Sequence, residues 1–165
     1  PDERDFYNNP EDYFSSSCEK PLELFQQSLK LIERFAPRKG KLLDVGAGKG
    51  EFLAVARRRG WEVFGVEVST PFVTYAKEKF NLKVYNTTLE RSSFPDRFFD
   101  VVTLNMVLEH VEKPHEMLTT GWRRRWRQLF AIPKESKGLS GETRAARGLL
   151  LIPFACFQSG MEPAE

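Results

Sequence analysis

The run Asp44-Val45-Gly46-Ala47-Gly48-Lys49-Gly50 sets three glycines at alternate positions behind an acid. Glycine lets a backbone turn sharply and come close to a ligand. Where such a run opens a helix, the first-turn N–H groups attract an anion. With no ligand, the same run is only a tight strand-to-helix turn. Its spacing separates two ligand chemistries. The dinucleotide fingerprint is G-x-G-x-x-G. Here the third glycine arrives one residue early, at Gly50, and Glu51 stands where the fingerprint needs glycine. An acid there opposes a pyrophosphate. A second acid, Glu67, follows 17 residues after Gly50 at the end of an apolar run. An acid in that place can accept both hydroxyls of a ribose; the alternative is a solvated strand end.

These groups need elements to hold them. Leu22, Phe25, Leu29, Ile32 and Ala36 recur every three or four residues, which predicts a helix with one buried stripe. Pro21 suits its first turn, and Pro37 and Gly40 end it. Lys41–Val45 is a short apolar run that reads as a buried strand. A helix over 51–59 turns Phe52, Val55 and Ala56 inward, places Arg57 to Arg59 in its last turn, and stops at Gly60. Residues 63–68 read as a second strand. Ser69 or Thr70 caps the next helix, with Pro71 near its start and Asn81 at its end. Residues 82–85 form a weaker third strand and 99–104 a fourth. Strands alternating with helices at this spacing predict a mostly parallel sheet flanked by helices, an α/β Rossmann-like fold. The carboxyl ends of its strands form the ligand crevice.

Three blocks carry a family resemblance. The first is Leu42-Leu43-Asp44-Val45-Gly46-Ala47-Gly48-Lys49-Gly50. The second is Gly60-Trp61-Glu62-Val63-Phe64-Gly65-Val66-Glu67-Val68-Ser69. The third, Phe94-Pro95-Asp96-Arg97-Phe98-Phe99-Asp100-Val101-Val102-Thr103-Leu104, runs on to Val107-Leu108-Glu109-His110-Val111 and Pro114. In this order and at these intervals the sequence resembles the class I S-adenosylmethionine-dependent methyltransferases. The nearest branch holds ubiquinone-biosynthesis and other small-molecule methyltransferases. The resemblance covers roughly residues 35–118.

That resemblance implies S-adenosyl-L-methionine as cofactor and a small-molecule methyl acceptor, with O-methylation favoured. Gly46, Ala47, Gly48 and Gly50 would wrap the methionine part, whose carboxylate can meet backbone N–H groups. Asp44 would lie close to its ammonium group, Glu67 would bind the ribose, and Val68 would lie against the adenine. The family often sets an acid on the adenine amino group after the third strand. By register that position falls at Thr88 and Leu89, which departs from the pattern, and Glu90 is a substitute. Asn105 would lie beside the cofactor.

Methyl transfer from a sulfonium is an in-line displacement, so alignment of nucleophile and methyl supplies much of the rate. A hydroxyl nucleophile usually needs a base. His110 is the first candidate, because imidazole titrates near neutral pH, and Glu109 is the second. The plainer readings are a packed or capping histidine and an exposed charge. Tyr7, Tyr13 and Phe14 lie in a segment that often forms a lid in such proteins, where aromatic faces could meet the sulfonium. His115, after Pro114, reads as solvent-facing. No cluster of histidine, cysteine and acid has metal-ligand spacing, so no metal is expected.

The whole chain frames these expectations. It has 165 residues, enough for one ordinary domain, with 41% hydrophobic and 29% charged residues, which excludes wholesale disorder. The net charge of +2 is too small to imply a polyanion partner. Cys18 and Cys156 are far apart and fit neither a disulfide framework nor a zinc site, so a reducing, cytoplasmic setting is expected. The longest apolar run, 149–157, is about half a membrane span and contains Pro153. The polar, acidic start shows no signal peptide, and the absent initiator Met suggests a fragment. Residues 1–20 read as an irregular segment or lid and 21–120 as the core.

Character changes near Gly121. Residues 121–165 carry 8 basic and 4 acidic side chains and no Asp. Where the family would continue to a fifth strand and an antiparallel pair, Gly121-Trp122-Arg123-Arg124-Arg125-Trp126-Arg127 appears instead. Either 128–132 or 149–152 could supply a fifth strand. The tail therefore reads as divergent, truncated or frame-shifted, and the sheet as incomplete at that end. Arginines interleaved with indoles could also contact nucleic acid, but one short run is a weak electrostatic footprint. Two rival functions remain: an NAD(P)-dependent oxidoreductase, disfavoured by Gly50 and Glu51, and a non-catalytic S-adenosylmethionine-binding or interaction protein.

Overall fold

The computed structural model describes residues 21–105, 107, 126–132 and 149–151. The elements are α1 (Pro21–Phe35), β1 (Lys41–Val45), α2 (Glu51–Arg58), β2 (Glu62–Glu67), α3 (Thr70–Phe80), β3 (Val84–Asn86), β4 (Phe99–Asn105), β5 (Trp126–Ile132) and β6 (Leu149–Leu151). The strands make one sheet in the order β3-β2-β1-β4-β5-β6, and every pairing is parallel. The parallel sheet wound with helices is the expected one. Both C-terminal candidates are strands, adjacent to each other, so no antiparallel pair stands among the described residues.

Buried parallel strands need apolar residues on both faces. Leu42, Val63, Val84 and Val101 pack under Leu29 and Ile32 of α1, Phe52 and Leu53 of α2, and Val73 and Ala76 of α3. On the other side, Leu43, Val45, Phe64, Val66, Val102 and Leu104 pack with Leu89 and Phe99. The expected α1 stripe is buried at Leu29 and Ile32, but Leu22 is half exposed, at the rim of a cavity it shares with Phe25, Ala54, Val55 and Phe80. Element ends moved by a residue or two. β2 stops at Glu67, so Val68 lies beyond the strand, and β3 starts at Val84 rather than residue 82. Asn81 ends α3 in the left-handed conformation, with φ 50°, which asparagine tolerates better than most residues.

One polar clamp fixes α1 to the sheet's amino edge. The Glu33 carboxylate accepts Arg59 Nε at 2.9 Å, pairs with the Arg59 terminal nitrogen and with Lys39, and meets Trp61 Nε1 at 3.4 Å. The Arg59 guanidinium, followed by Lys39, holds the Glu33 carboxyl at about 2, well below its usual range.

Candidate functional site

Strand order reverses at β1, the first strand in the chain, which neighbours both β2 and β4. In open α/β sheets ligands bind beside such a switch point, at the strands' carboxyl ends. Asp44 is paired in register with Thr103 of β4 there. Only 2% exposed, its Oδ1 accepts Thr103 Oγ1 at 2.6 Å and Asn105 Nδ2 at 2.8 Å. Burial pushes the Asp44 carboxyl up to about 8; the two donors oppose that, and the negative charge of Glu67 adds to it. The remaining oxygen of Asn105, Oδ1, is buried with no hydrogen-bond partner among the described residues. A buried acid beside an orphaned amide oxygen is a receptor for a cationic donor.

The glycine loop is held tightly. Gly46, Gly48 and Gly50 have φ of 69°, 51° and 78°, the left-handed region that side chains rarely adopt. Gly46 N–H and Ala47 N–H both donate to Val66 O, at 2.9 and 3.1 Å, and Gly50 N–H donates to Ala47 O at 2.9 Å. Gly48 N–H donates to Glu67 Oε2 at 2.9 Å. The loop lies so close to β2 that a Cβ on Gly65 would stand 2.9 Å from Ala47 Cβ. A Cβ on Gly48, by contrast, would meet nothing within 4 Å among the described residues. Gly48 thus borders open space while its neighbours are packed. Gly50 is also the N-cap of α2.

Glu67 is 7% exposed, and its second oxygen, Oε1, accepts Ser69 N–H at 2.8 Å. A carboxylate offers about four lone-pair directions, so acceptor capacity is left for hydroxyl groups. Val68, next to it, is 67% exposed and offers an apolar surface. Thr88 is half-buried; its Oγ1 accepts Arg91 N–H at 3.4 Å. The Leu89 side chain lies in the core with Val66, Phe99 and Val102, and its carbonyl accepts Ser92 N–H and the Ser92 hydroxyl. Glu90 is exposed. Glu109, His110, His115 and the aromatics at 7, 13 and 14 lie outside the described residues, as does the tail's basic run apart from the backbone of Trp126 and Arg127.

Thus Asp44, Asn105, Gly48, Glu67 and Val68 meet at the carboxyl ends of three adjacent strands. Two participants were not singled out from sequence. Thr103 had a signal, a lone hydroxyl in the buried run Phe99-Asp100-Val101-Val102-Thr103-Leu104. Asn86, which bonds the backbone around Glu67, had none. The N–H groups of Gly46, Ala47, Gly48 and Gly50 donate to acceptors of the protein itself. A pyrophosphate is opposed more strongly still, because the Glu67 carboxylate already sits on Gly48 N–H. Among the described residues no group of three or more side chains is arranged to hold a metal.

Strand order, the glycine loop and the crevice at β1 define a Rossmann-like domain. Comparisons with known proteins agree. The family described as "Methyltransferase domain" matches residues 22–121, and the chain belongs to it, among the class I S-adenosylmethionine-dependent methyltransferases. The ubiquinone biosynthesis O-methyltransferase of Coxiella burnetii is 33% identical over 106 residues, 60% of this chain and 45% of that protein. A putative methyltransferase of Bacillus subtilis, YqeM, is 27% identical over 101 residues, 58% of this chain and 41% of that one. The chain therefore spans about half the length of the curated relatives it matches. A SAM-dependent methyltransferase from Aquifex aeolicus superposes with a TM-score of 0.57 at 24% identity, over 72% of this chain and 67% of that one. The plantazolicin methyltransferase BpumL, solved with SAH, gives 0.59 at 21% identity, over 76% and 49%. These two share the fold.

Proposed function

We propose that this domain binds S-adenosyl-L-methionine across the carboxyl ends of β1, β2 and β4 and serves methyl transfer to a small-molecule hydroxyl. The observation that carries the reading is the placement of Asp44, buried against an amide oxygen that lacks a donor, one strand away from Glu67. An ammonium would supply the missing charge and donor at the first acid. Ribose hydroxyls would fill the lone pairs left on the second. The open space at Gly48 and the exposed Val68 leave room for the rest. When bound, the cofactor supplies a methyl group on a sulfonium, with a neutral thioether as leaving group.

The chain's own residues do the remainder. Asp44 and Asn105 orient the amino-acid end, Glu67 and Val68 the nucleoside end, and alignment between them fixes where the methyl points. His110, with Glu109 as second choice, would take the proton from the acceptor hydroxyl. O-methylation is supported by the name of the Coxiella relative. The two widely separated cysteines suit a reducing, cytoplasmic setting, and no described helix is long and apolar enough to cross a membrane.

Calorimetric titration tests the reading. S-adenosylhomocysteine should bind and NADH should not, and Asp44→Asn or Glu67→Ala should weaken that binding by tenfold or more, the loss of about 1.4 kcal/mol. Tight NADH binding with no response to S-adenosylhomocysteine would overturn it.

A further inference from the structure

Asn86 closes β3, paired in register with Glu67, and its bonds run to the backbone beside that acid. It is exposed, yet its side-chain amide is engaged at both ends. Nδ2 donates to Glu67 O at 3.0 Å and to Val68 O at 2.9 Å, while Oδ1 accepts Thr70 Oγ1 at 2.9 Å. The backbone adds Thr87 N–H to Glu67 O at 3.1 Å. One surface side chain therefore holds two successive carbonyls and the first residue of α3.

Those two carbonyls belong to the residues that face the nucleoside. Peptide planes are rigid, so pinning Glu67 O and Val68 O fixes the stretch of backbone from which the Glu67 and Val68 side chains project. The same turn supplies Ser69 N–H, which holds Glu67 Oε1. From this arrangement we infer that Asn86 is a positioning residue for the adenosine half of the cofactor, acting through the turn at 67–70. The inference rests on the cofactor reading above. It goes beyond that reading in giving a ledge-setting role to a residue that need not touch the ligand.

Asn86→Asp is the discriminating variant. Asp keeps the shape, but its carboxylate cannot donate and would face two carbonyl oxygens. Protonated, it regains one donor. Two hydrogen bonds of ordinary net strength correspond to about a tenfold change in affinity. Titrations of the full chain with S-adenosylhomocysteine at pH 8 should show about that loss for Asn86→Asp and for Asn86→Ala, relative to wild type. At pH 5 an exposed aspartate is still mostly ionised, so the Asp variant should stay as weak relative to wild type as it is at pH 8. An exposed residue with a merely local structural role would shift the melting temperature and leave the affinity at the wild-type value. With S-adenosylmethionine and a turned-over acceptor, KM should rise and kcat should hold, the pattern of lost uniform binding. Thr70→Val, which removes only the partner of Oδ1, should give a smaller loss in the same direction, and it provides the reading if an Asn86 variant does not fold. Wild type that fails to bind S-adenosylhomocysteine defeats the cofactor reading and this inference with it. Wild type that binds, with Asn86 and Thr70 variants that bind equally well, defeats this inference alone.

Discussion

Asp44 holds its proton over a range where a free aspartate has lost it. Its carboxyl is raised from 3.8 to about 8, chiefly by burial. Between those values the folded chain binds one more proton here than the unfolded chain. The stability contribution of this group is therefore fully present below 3.8. It falls by about 1.4 kcal/mol per pH unit as pH rises, until the carboxyl ionises near 8. An ammonium arriving beside Asp44 reverses the preference and favours the carboxylate. Binding of S-adenosylhomocysteine at pH 7 should thus release up to about one proton. Calorimetry in two buffers of different ionisation enthalpy reads that directly, as a difference in apparent binding heat. Asp44→Asn should abolish the difference, weaken binding and flatten the loss of stability from pH 5 to 8. Equal heats for wild type in both buffers would remove Asp44 from the ammonium site. Asp44 and Glu67 were legible because an acid at a strand end beside glycines has few other uses. Asn86 was not, because a polar residue in a loop carries no record of which backbone it will meet.

At the scale of elements, the β1–α2 loop divides its glycines between folding and binding. Gly50 has φ 78°, and a Cβ there would stand 2.7 Å from Leu82 Cδ1 and 3.0 Å from Ala76 Cβ. Gly50→Ala therefore combines left-handed strain with a clash under α3. It should cost about 2–4 kcal/mol, seen as a lower urea midpoint with an unchanged slope. Gly48 also has positive φ, but a Cβ there enters empty space. Gly48→Ala should cost only about 1–2 kcal/mol of stability while removing most S-adenosylhomocysteine affinity, since the methyl occupies space left for the ligand. Reversal of that order would mean that the open side of the loop is not the binding side. The glycine spacing showed in the sequence; which glycine does which task did not, because that depends on α3 folding over one and away from the other. The Glu33 clamp was hidden for a similar reason. Along α1 it reads as a solvated position, and only the packed fold brings Arg59, Lys39 and Trp61 to it.

Over the whole molecule, strand–helix alternation through β3 made the parallel sheet readable, because the apolar strands β1, β2 and β4, of five to seven residues, leave little else to form. The C-terminal strands were harder. β5 begins with Trp126-Arg127-Gln128, polar for a strand between two others in a sheet, and the order β4-β5-β6 is set by pairing rather than by any local pattern. Their structural consequence falls on the site. β4 carries Thr103 and Asn105, and it lies between β1 and β5, with Thr103 opposite Phe130 and Asn105 opposite Ile132 in register. A chain ending at residue 125 would leave β4 with its N–H and C=O row unpaired along one side. Open edges of that kind recruit other chains. The shortened protein should therefore associate in light scattering and lose S-adenosylhomocysteine affinity, because the strand that orients Asp44's donors has lost its support on one flank. A tail that was only an appendage would leave the shortened chain monomeric with its affinity intact, and the parallel pairing of β4 with β5 would then have no part in building the site.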